Sequence, residues 1–327
     1  MSDTEQLRDP WLVAVWPGMG SVALGAGSYL VNKLGAQLVH ELPARDLFDI
    51  QQIDVKEGLA SIGRLPRSMF FQWRNPSGER DLLIFIGEAQ LSPGGYGLCH
   101  KLLDYAEQRG VKRIVTFAAM ATQLHPTADP RVFGAATEKP LVEEMGRHRV
   151  EILEEGQISG LNGVLLAAGA ERGLPGLCLL GELPFFAVGV PNPRASQAAL
   201  EVFRDMAGIE LDLEEIAAQA KTVETALLQL LEKMKEAAAD EAEAGGEGFS
   251  VPEFANPEDE PPAEAEPGEE KKTPPRLDLA TRNRIESLFQ EAQQDRGQVM
   301  RLKAELDRLG VFEQYEDRFL DLFKKAE

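Results

Sequence analysis

The segment 16–23 carries the most suggestive chemical pattern in the chain, Trp-Pro-Gly-Met-Gly-Ser-Val-Ala. Gly18 and Gly20 lie in a G-x-G-x-x-A pattern between an apolar run and a helical pattern. Such glycines let a ligand approach the backbone, and the helix N-terminus behind them favours an anion. Glu41 ends the next predicted strand, where a ribose-binding acid would stand. An anionic ligand beside Gly18, Gly20 and Ser21 is therefore one hypothesis, and a plain sharp turn is the other.

Polar residues also follow three other apolar segments. Glu88 and Glu182 end predicted buried strands, while Asn162 and Gly163 begin a very apolar helix. Ligands of open α/β sheets bind at the C-terminal strand edge, and desolvation there would raise the pKa of a carboxylate and suit it to acid–base work. The alternative is that the two acids cap helices or pair with arginines. The candidate ligand-binding residues are Gly18, Gly20, Ser21, Glu88, Asn162, Gly163 and Glu182.

Other catalytic patterns are missing from the sequence. The four histidines are scattered, and no H-E-x-x-H, C-x-x-C, G-x-S-x-G or Walker A pattern occurs. We therefore expect no metal site and no cofactor, and we name no catalytic residue. Only two cysteines occur, Cys99 and Cys178, which favours a reducing compartment over a disulfide scaffold.

Composition narrows the class of protein. The 327 residues carry a net charge of −20, and 13 acids with no lysine or arginine fall within residues 236–270. No basic stripe is present to neutralise phosphates, so we expect no nucleic-acid partner. No apolar run approaches the roughly 18 residues that suggest a membrane span, and the polar, acidic start does not resemble a secretory signal. The cytoplasm is the expected location.

Short apolar runs alternate with helical patterns through the first two thirds of the chain. This alternation, with one antiparallel hairpin at 68–87, predicts a three-layer α/β/α sandwich whose sheet is mixed but mostly parallel. We predict three regions: an α/β domain at 1–236, a disordered acidic linker rich in proline and glutamate at 237–276, and a helical hairpin at 277–327.

The C-terminal region has a narrow apolar seam at helical spacing, interrupted by Gly310. About 50 residues would be marginally stable alone, so the predicted helical hairpin would pack on the main domain, on a second copy or on a partner. Its candidate partner-binding residues are Leu302, Leu306, Phe312, Tyr315 and Phe319.

Several motifs together resemble the proteasome-assembly-chaperone family of the second-subunit type. In sequence order they are Trp16-Pro17-Gly18-Met19-Gly20, Gly87-Glu88-Ala89-Gln90, Ser159-Gly160-Leu161-Asn162-Gly163 and Leu179-Leu180-Gly181-Glu182. The resemblance covers roughly residues 10–235. The segment Gly310-Val311-Phe312-Glu313 through Tyr315-Glu316-Asp317-Arg318-Phe319 also resembles a tail common in bacterial members.

The resemblance implies a fold similar to nucleoside phosphorylases, a homo-oligomer and, for some members, a role in proteasome assembly. Members that dock on the proteasome ring often end in a hydrophobic–Tyr–any tripeptide, whereas this sequence ends Lys325-Ala326-Glu327. We therefore expect a non-enzymatic, oligomeric protein-binding or assembly protein. The sequence does not decide whether its partner is a proteasome. The alternative is an enzyme or binder of a nucleoside- or nucleotide-like anion at the strand ends.

Overall fold

The computed structural model describes residues 6–48, 53–91 and 94–243, and in the C-terminal region residues 285, 288, 289, 292, 299–308 and 315. An eight-stranded sheet has the order β2-β5-β6-β1-β7-β10-β8-β9, and β3 and β4 form a separate two-stranded sheet. The strands are β1 Trp11–Val15, β2 Gln37–Leu42, β3 Ile53–Lys56, β4 Leu59–Ile62, β5 Ser68–Trp73, β6 Leu82–Gly87, β7 Arg113–Thr122, β8 Val132–Ala136, β9 Glu151–Ile152 and β10 Gly176–Pro184.

The centre of the large sheet is parallel, since β1 pairs in parallel with β6 and with β7, and β7 pairs in parallel with β10. Antiparallel pairs join β2 to β5, β5 to β6, and β8 to β10. The predicted mixed, mostly parallel sheet is therefore confirmed.

Seven α-helices have their bounds within the described residues. They are α1 Val22–Leu34, α2 Gly95–Gln108, α3 Lys139–Arg147, α4 Leu161–Glu171, α5 Pro193–Ala207, α6 Glu214–Glu243 and α7 Val299–Arg308. Helix α6 continues seven residues beyond the end that the sequence predicts, into the range assigned to the linker. The alanines and glutamates there are good helix formers, which explains the extension. The rest of the predicted linker lies outside the described residues.

Alternation along β1 divides the core between the two faces of the sheet. Trp11, Val13 and Val15 join a cluster with residues of α1, α3, α5 and the start of α6. Leu12, Ala14 and Trp16 join a second cluster with residues of α2 and α4. A strand buried on both faces reads as a continuous apolar run, as residues 11–16 do. Helices thus cover both faces, which confirms the three-layer α/β/α arrangement.

The chain divides into two compact units, and the first boundary follows Glu236. In the second unit, Leu302 and Leu306 of α7 are fully buried in one cluster with Ile285, Leu288, Phe289 and Ala292, and Tyr315 packs against it. A helical C-terminal region is therefore present. Phe312, Phe319 and the turn at Gly310 lie outside the described residues, so the hairpin form stays a prediction.

Candidate functional site

The C-terminal ends of β1 and β6 define the topological switch point of the sheet. The chain leaves β1 for α1 on one face and leaves β6 for α2 on the opposite face. Crevices of this kind hold the ligand in many open α/β proteins. The side chains at this crevice therefore determine whether a ligand could bind there.

The Gln90 side chain spans this crevice. Its Nε2 donates to the carbonyl of Pro17 at 2.7 Å, and its Oε1 accepts from the amide of Leu161 at 2.9 Å. It therefore joins the end of β1 to the first turn of α4 and caps that helix, whose N-cap residue Gly160 offers no side chain. An exposed amide at a helix N-terminus would suit an anion, but here the chain itself supplies the acceptor.

Asn162 makes the second link across the crevice. This buried side chain accepts a hydrogen bond from the amide of Trp16 at 3.1 Å through Oδ1. A Cβ atom added to Gly18 would lie 3.9 Å from its Nδ2. The structure thus places the candidates Gly18 and Asn162 side by side. Only glycine fits at position 163, because an added Cβ would lie 2.1 Å from the carbonyl oxygen of Ile158 in the loop that precedes α4.

Gly20 and Ser21 face a different part of the molecule. Both have left-handed backbone conformations, with φ of 57° and 49°. The amide of Gly20 donates to the carbonyl of Val188 at 2.7 Å, and its carbonyl accepts from the amide of Asn192 at 2.7 Å. The backbone groups that a phosphate would need at Gly20 are therefore bonded to the segment that follows β10.

Glu41 lies far from the glycine turn. Strand β2 is the edge strand, and β5 and β6 separate it from β1, so about 14 Å lies between the two strands. The Glu41 carboxylate instead receives two hydrogen bonds from the Arg67 guanidinium, at 3.1 and 2.7 Å. The expectation of a ribose-binding acid at Glu41 is wrong because β2 and β1 are not neighbours.

Glu88 holds the segment between β4 and β5. Its Oε1 accepts from the Arg64 guanidinium at 2.6 Å, and its Oε2 accepts from the amide of Arg67 at 2.9 Å. These bonds direct its carboxylate toward β5, away from Gly18 and Asn162. Pairing of Glu88 with an arginine is one of the two alternatives that its sequence position allows, and this is the geometry found.

Glu182 is 1% exposed and forms the most completely bonded polar cluster at this edge of the sheet. Arg131 donates to it from its amide, from Nε and from Nη2, at 2.9, 3.0 and 2.6 Å, and Thr122 donates from its hydroxyl at 2.6 Å. Burial alone would raise the pKa of Glu182, but these donors outweigh burial and lower it. Of the two alternatives left open for Glu182, pairing with an arginine is the one found, and its pKa is lowered instead of raised.

The candidates consequently separate into three places. Gly18 and Asn162 lie together at the end of β1, and Glu88 lies on the β5 side of them. Glu182 lies on the opposite side, toward β8, and Gly20 contacts Leu183 of β10. Gln90 is not among the residues predicted from the sequence, although it ends the Gly-Glu-Ala-Gln motif. Trp16 was not predicted either; its indole is buried, and Nε1 has no hydrogen-bond partner in the described part of the chain.

Neither a metal centre nor a membrane span emerges from the residues whose placement is described. Over these ranges, no three His, Cys, Asp or Glu side chains are grouped so that they could hold a metal ion. In the same part of the chain, no helix combines the length and apolar character that crossing a membrane requires.

The sheet order, the two helical layers and the bridged crevice define a three-layer α/β/α protein with a glycine turn at its switch point. Residues 12–231 match the PAC2 family, and the chain belongs to it. An uncharacterized protein of Methanocaldococcus jannaschii is 28% identical over 238 residues, which cover 72% of this chain and 86% of that protein.

Solved structures show the same fold. Pyrococcus furiosus PbaB, an archaeal proteasome activator, is 27% identical with a TM-score of 0.59, and the match covers 70% of this chain and 96% of PbaB. A Mycobacterium tuberculosis proteasome-assembly chaperone homologue is 22% identical with a TM-score of 0.58, and the match covers 67% of this chain and 94% of that one.

Proposed function

We propose that this chain is a non-enzymatic, oligomeric protein-binding protein of the assembly-chaperone type. The observation that carries the proposal is the use of the strand-end polar groups as internal bonds. Gln90 bridges the switch point, Glu88 and Glu182 are paired with arginines, and the Gly20 amide is bonded to Val188. Polar groups that are bonded within the chain stabilise the fold and are not available to bind a substrate.

Likeness to PbaB, described as an archaeal proteasome activator, supports a protein complex as the partner. The partners of this chain would be itself and a protein assembly of the cytoplasm, with no nucleic acid and no membrane. The net charge of −20 is consistent with this choice because it opposes binding to phosphate polymers and anionic lipids.

The C-terminal unit is the proposed partner-binding part of the chain. Leu302 and Leu306 are buried inside it, so they would act by holding its fold, while its remaining surface meets the partner. Phe312, Tyr315 and Phe319 stay in the proposed set.

Affinity purification from the native cells tests this proposal, with the full chain and a variant lacking 277–327 compared side by side. We expect defined protein subunits at fixed stoichiometry with the full chain and their loss with the shortened one. Circular dichroism of the shortened chain controls for folding. The same subunits recovered with both proteins would contradict the role of the C-terminal unit.

A small anionic ligand at the end of β1 is the second candidate function. It is favoured by the lack of a side chain at Gly18, where an added Cβ would meet only Nδ2 of Asn162, at 3.9 Å. A thermal-shift panel of nucleosides, nucleotides and phosphate tests it, since a ligand at 100 times its dissociation constant adds about 2.7 kcal/mol to stability. If no compound in the panel raises the melting temperature, only the first function remains.

A further inference from the structure

Strands β3 and β4 form a hairpin that stands apart from the main sheet. Among the described residues they pair only with each other, and all eight of their residues are exposed. Glu57 and Gly58 both have positive φ, of 55° and 80°, which is the signature of a tight type I′ turn. Two-stranded hairpins are marginally stable alone in water, so a third element is expected to cover one face of this hairpin.

One face of the hairpin is entirely apolar. Ile53 pairs across the strands with Ile62, and Val55 pairs with Ala60, and cross-strand partners lie on the same face. Ile53, Val55 and Ile62 are 56%, 68% and 48% exposed. The opposite face carries Asp54, Lys56, Leu59 and Ser61. We call the face of Ile53, Val55, Ala60 and Ile62 the hairpin face.

The segment that follows the hairpin is tied to the body of the protein. Arg64, two residues after β4, is bound by Glu88 at the end of β6, and the same carboxylate binds the amide of Arg67. Glu41 holds the Arg67 guanidinium from β2. A face that is held in place before binding loses less entropy when it meets a partner.

Charge selects the kind of partner. Residues 37–74 hold five acids and five bases, so this part of the chain is neutral although the whole chain carries −20. The acids are Glu41, Asp46, Asp49, Asp54 and Glu57, and the bases are Arg45, Lys56, Arg64, Arg67 and Arg74. Two copies can bring such segments together without like-charge repulsion, whereas a strongly charged partner or an anionic membrane gains nothing there.

The exposed aliphatic side chains of the hairpin face suit a contact between copies. A standard interface buries about 800 Å² on each partner, of which somewhat more than half is apolar. The hairpin face contributes the exposed aliphatic side chains of Ile53, Val55 and Ile62, together with Ala60, to the apolar part of such an interface. Monomers rarely expose an apolar patch larger than a few hundred Å².

We propose that two copies of this chain pack hairpin face against hairpin face about a two-fold axis. The same patch is then used by both subunits, as a two-fold contact requires. This inference rests on the oligomeric part of the proposed function, and it is independent of which protein the C-terminal unit binds.

A charge exchange tests the contact. The full chain is prepared as Val55→Glu with Ile62→Glu and, separately, as Val55→Lys with Ile62→Lys, and light scattering after size exclusion gives the subunit number. We expect each variant alone to have half the wild-type subunit number or less, because four like charges would meet. An equimolar mixture of the two variants should recover the wild-type number.

The control for this test is Leu230→Glu, which places a charge on an exposed leucine of α6. It should leave the subunit number unchanged. Since Val55 and Ile62 are exposed within one chain, circular dichroism and thermal unfolding of the variants should match the wild type. Variants that keep the wild-type subunit number, or a mixture that fails to recover it, would overturn the two-fold contact.

Cysteine cross-linking gives a second, independent readout. Cys99 and Cys178 are buried, so a surface cysteine would be the accessible thiol among the described residues. Ala60→Cys lies on the hairpin face and Ser61→Cys on the opposite face, one residue away. A short bis-maleimide should join two copies of Ala60→Cys and leave Ser61→Cys largely uncrosslinked, and equal cross-linking of both would contradict the packing.

The outcomes separate this inference from the proposed function. An oligomer that persists in both charge variants refutes the hairpin contact and leaves the oligomeric protein-binding function standing. A monomeric wild type at high concentration refutes both. A monomer that binds phosphatidylcholine vesicles only while the hairpin face is intact would assign the face to a membrane surface and overturn the contact between copies.

Discussion

The carboxylate of Glu182 is held by more donors than any other acid at the strand ends. Four hydrogen bonds from Arg131 and Thr122 offset the cost of its burial. Burial alone would raise the pKa of this carboxyl, but the hydrogen bonds from Arg131 and Thr122 stabilise its charged form and lower the pKa. Its main effect is therefore on stability and on the position of β8 beside β10.

Replacing Glu182 should be costly, and replacing a neighbouring acid should not. We expect Glu182→Gln to lower the free energy of unfolding by about 2–3 kcal/mol, because it breaks a buried ion pair whose arginine stays partly hydrated. Glu151→Gln, which removes a half-exposed partner of the same Arg131, should cost less than about 1 kcal/mol. Urea unfolding measures both, and equal losses would contradict the account of Glu182.

The same pair predicts a dependence on acid pH. The folded-state pKa of Glu182 lies below its unfolded value, so the stability that it contributes is complete above the unfolded pKa of about 4.3 and is lost as pH falls through the folded pKa. Between those two values the unfolding free energy of Glu182→Gln should fall less steeply with decreasing pH than that of the wild type. Parallel pH profiles would exclude this contribution.

Gly18 and Gly20 should respond differently to the same substitution. Gly20 has a φ of 57°, and an added Cβ would lie 2.5 Å from Cδ2 of Leu183, so Gly20→Ala should cost about 1–2 kcal/mol. An added Cβ at Gly18 meets only Nδ2 of Asn162, at 3.9 Å, and Gly18→Ala should change stability little. Thermal unfolding of the two variants checks this, and a larger loss for Gly18→Ala would contradict the turn geometry.

At the scale of elements, Gln90 is the side chain that connects β1, β6 and α4. We expect Gln90→Ala to lower the unfolding free energy by about 1 kcal/mol, because it removes two hydrogen bonds of an exposed side chain. In Gln90→Glu the bond to the Pro17 carbonyl is lost, but the carboxylate still accepts from the Leu161 amide and favours the N-terminus of α4, so this amide should stay better protected than in Gln90→Ala. Hydrogen exchange at that amide measures the difference, and faster exchange in Gln90→Glu than in Gln90→Ala would refute the capping role.

Elements whose formation depends on neighbouring residues could be predicted better than elements that depend on pairing with distant segments. Helix α1 begins at Val22 and ends at Leu34, as its apolar spacing and the glycine that follows predict. The β5–β6 hairpin also follows from its own sequence, through alternation around a Pro-Ser-Gly turn. Both rely on neighbouring residues alone, so one sequence is enough to predict them.

The position of β2 could not be predicted in the same way. Its outermost place in the sheet depends on pairing with β5, which is about thirty residues away along the chain. The assignment of Glu41 to a ribose failed for this reason. Strands β3 and β4 were missed because each has four residues and no buried core face, and the signal that could have found them is the Glu57-Gly58 turn between two alternating segments.

At the scale of the whole molecule, each compact unit has a buried cluster of its own. The buried clusters of the α/β sandwich contain residues before 217, and the C-terminal cluster contains residues from 285 onward. A chain lacking 277–327 should therefore unfold with the same cooperativity as the α/β unit of the full chain. Calorimetry of the two proteins tests this, and loss of the cooperative transition in the shortened chain would show that the cores are coupled.

Native mass spectrometry of the tagged full chain, purified gently from its own cells, tests the central claim most directly. One spectrum reports the number of copies, the retained proteins and any retained small molecule. The account predicts a homo-oligomer that carries protein subunits at fixed stoichiometry. A species with no protein partner and one small anionic molecule per subunit would contradict it, and would make Gly18, Asn162 and Gln90 the first positions to change.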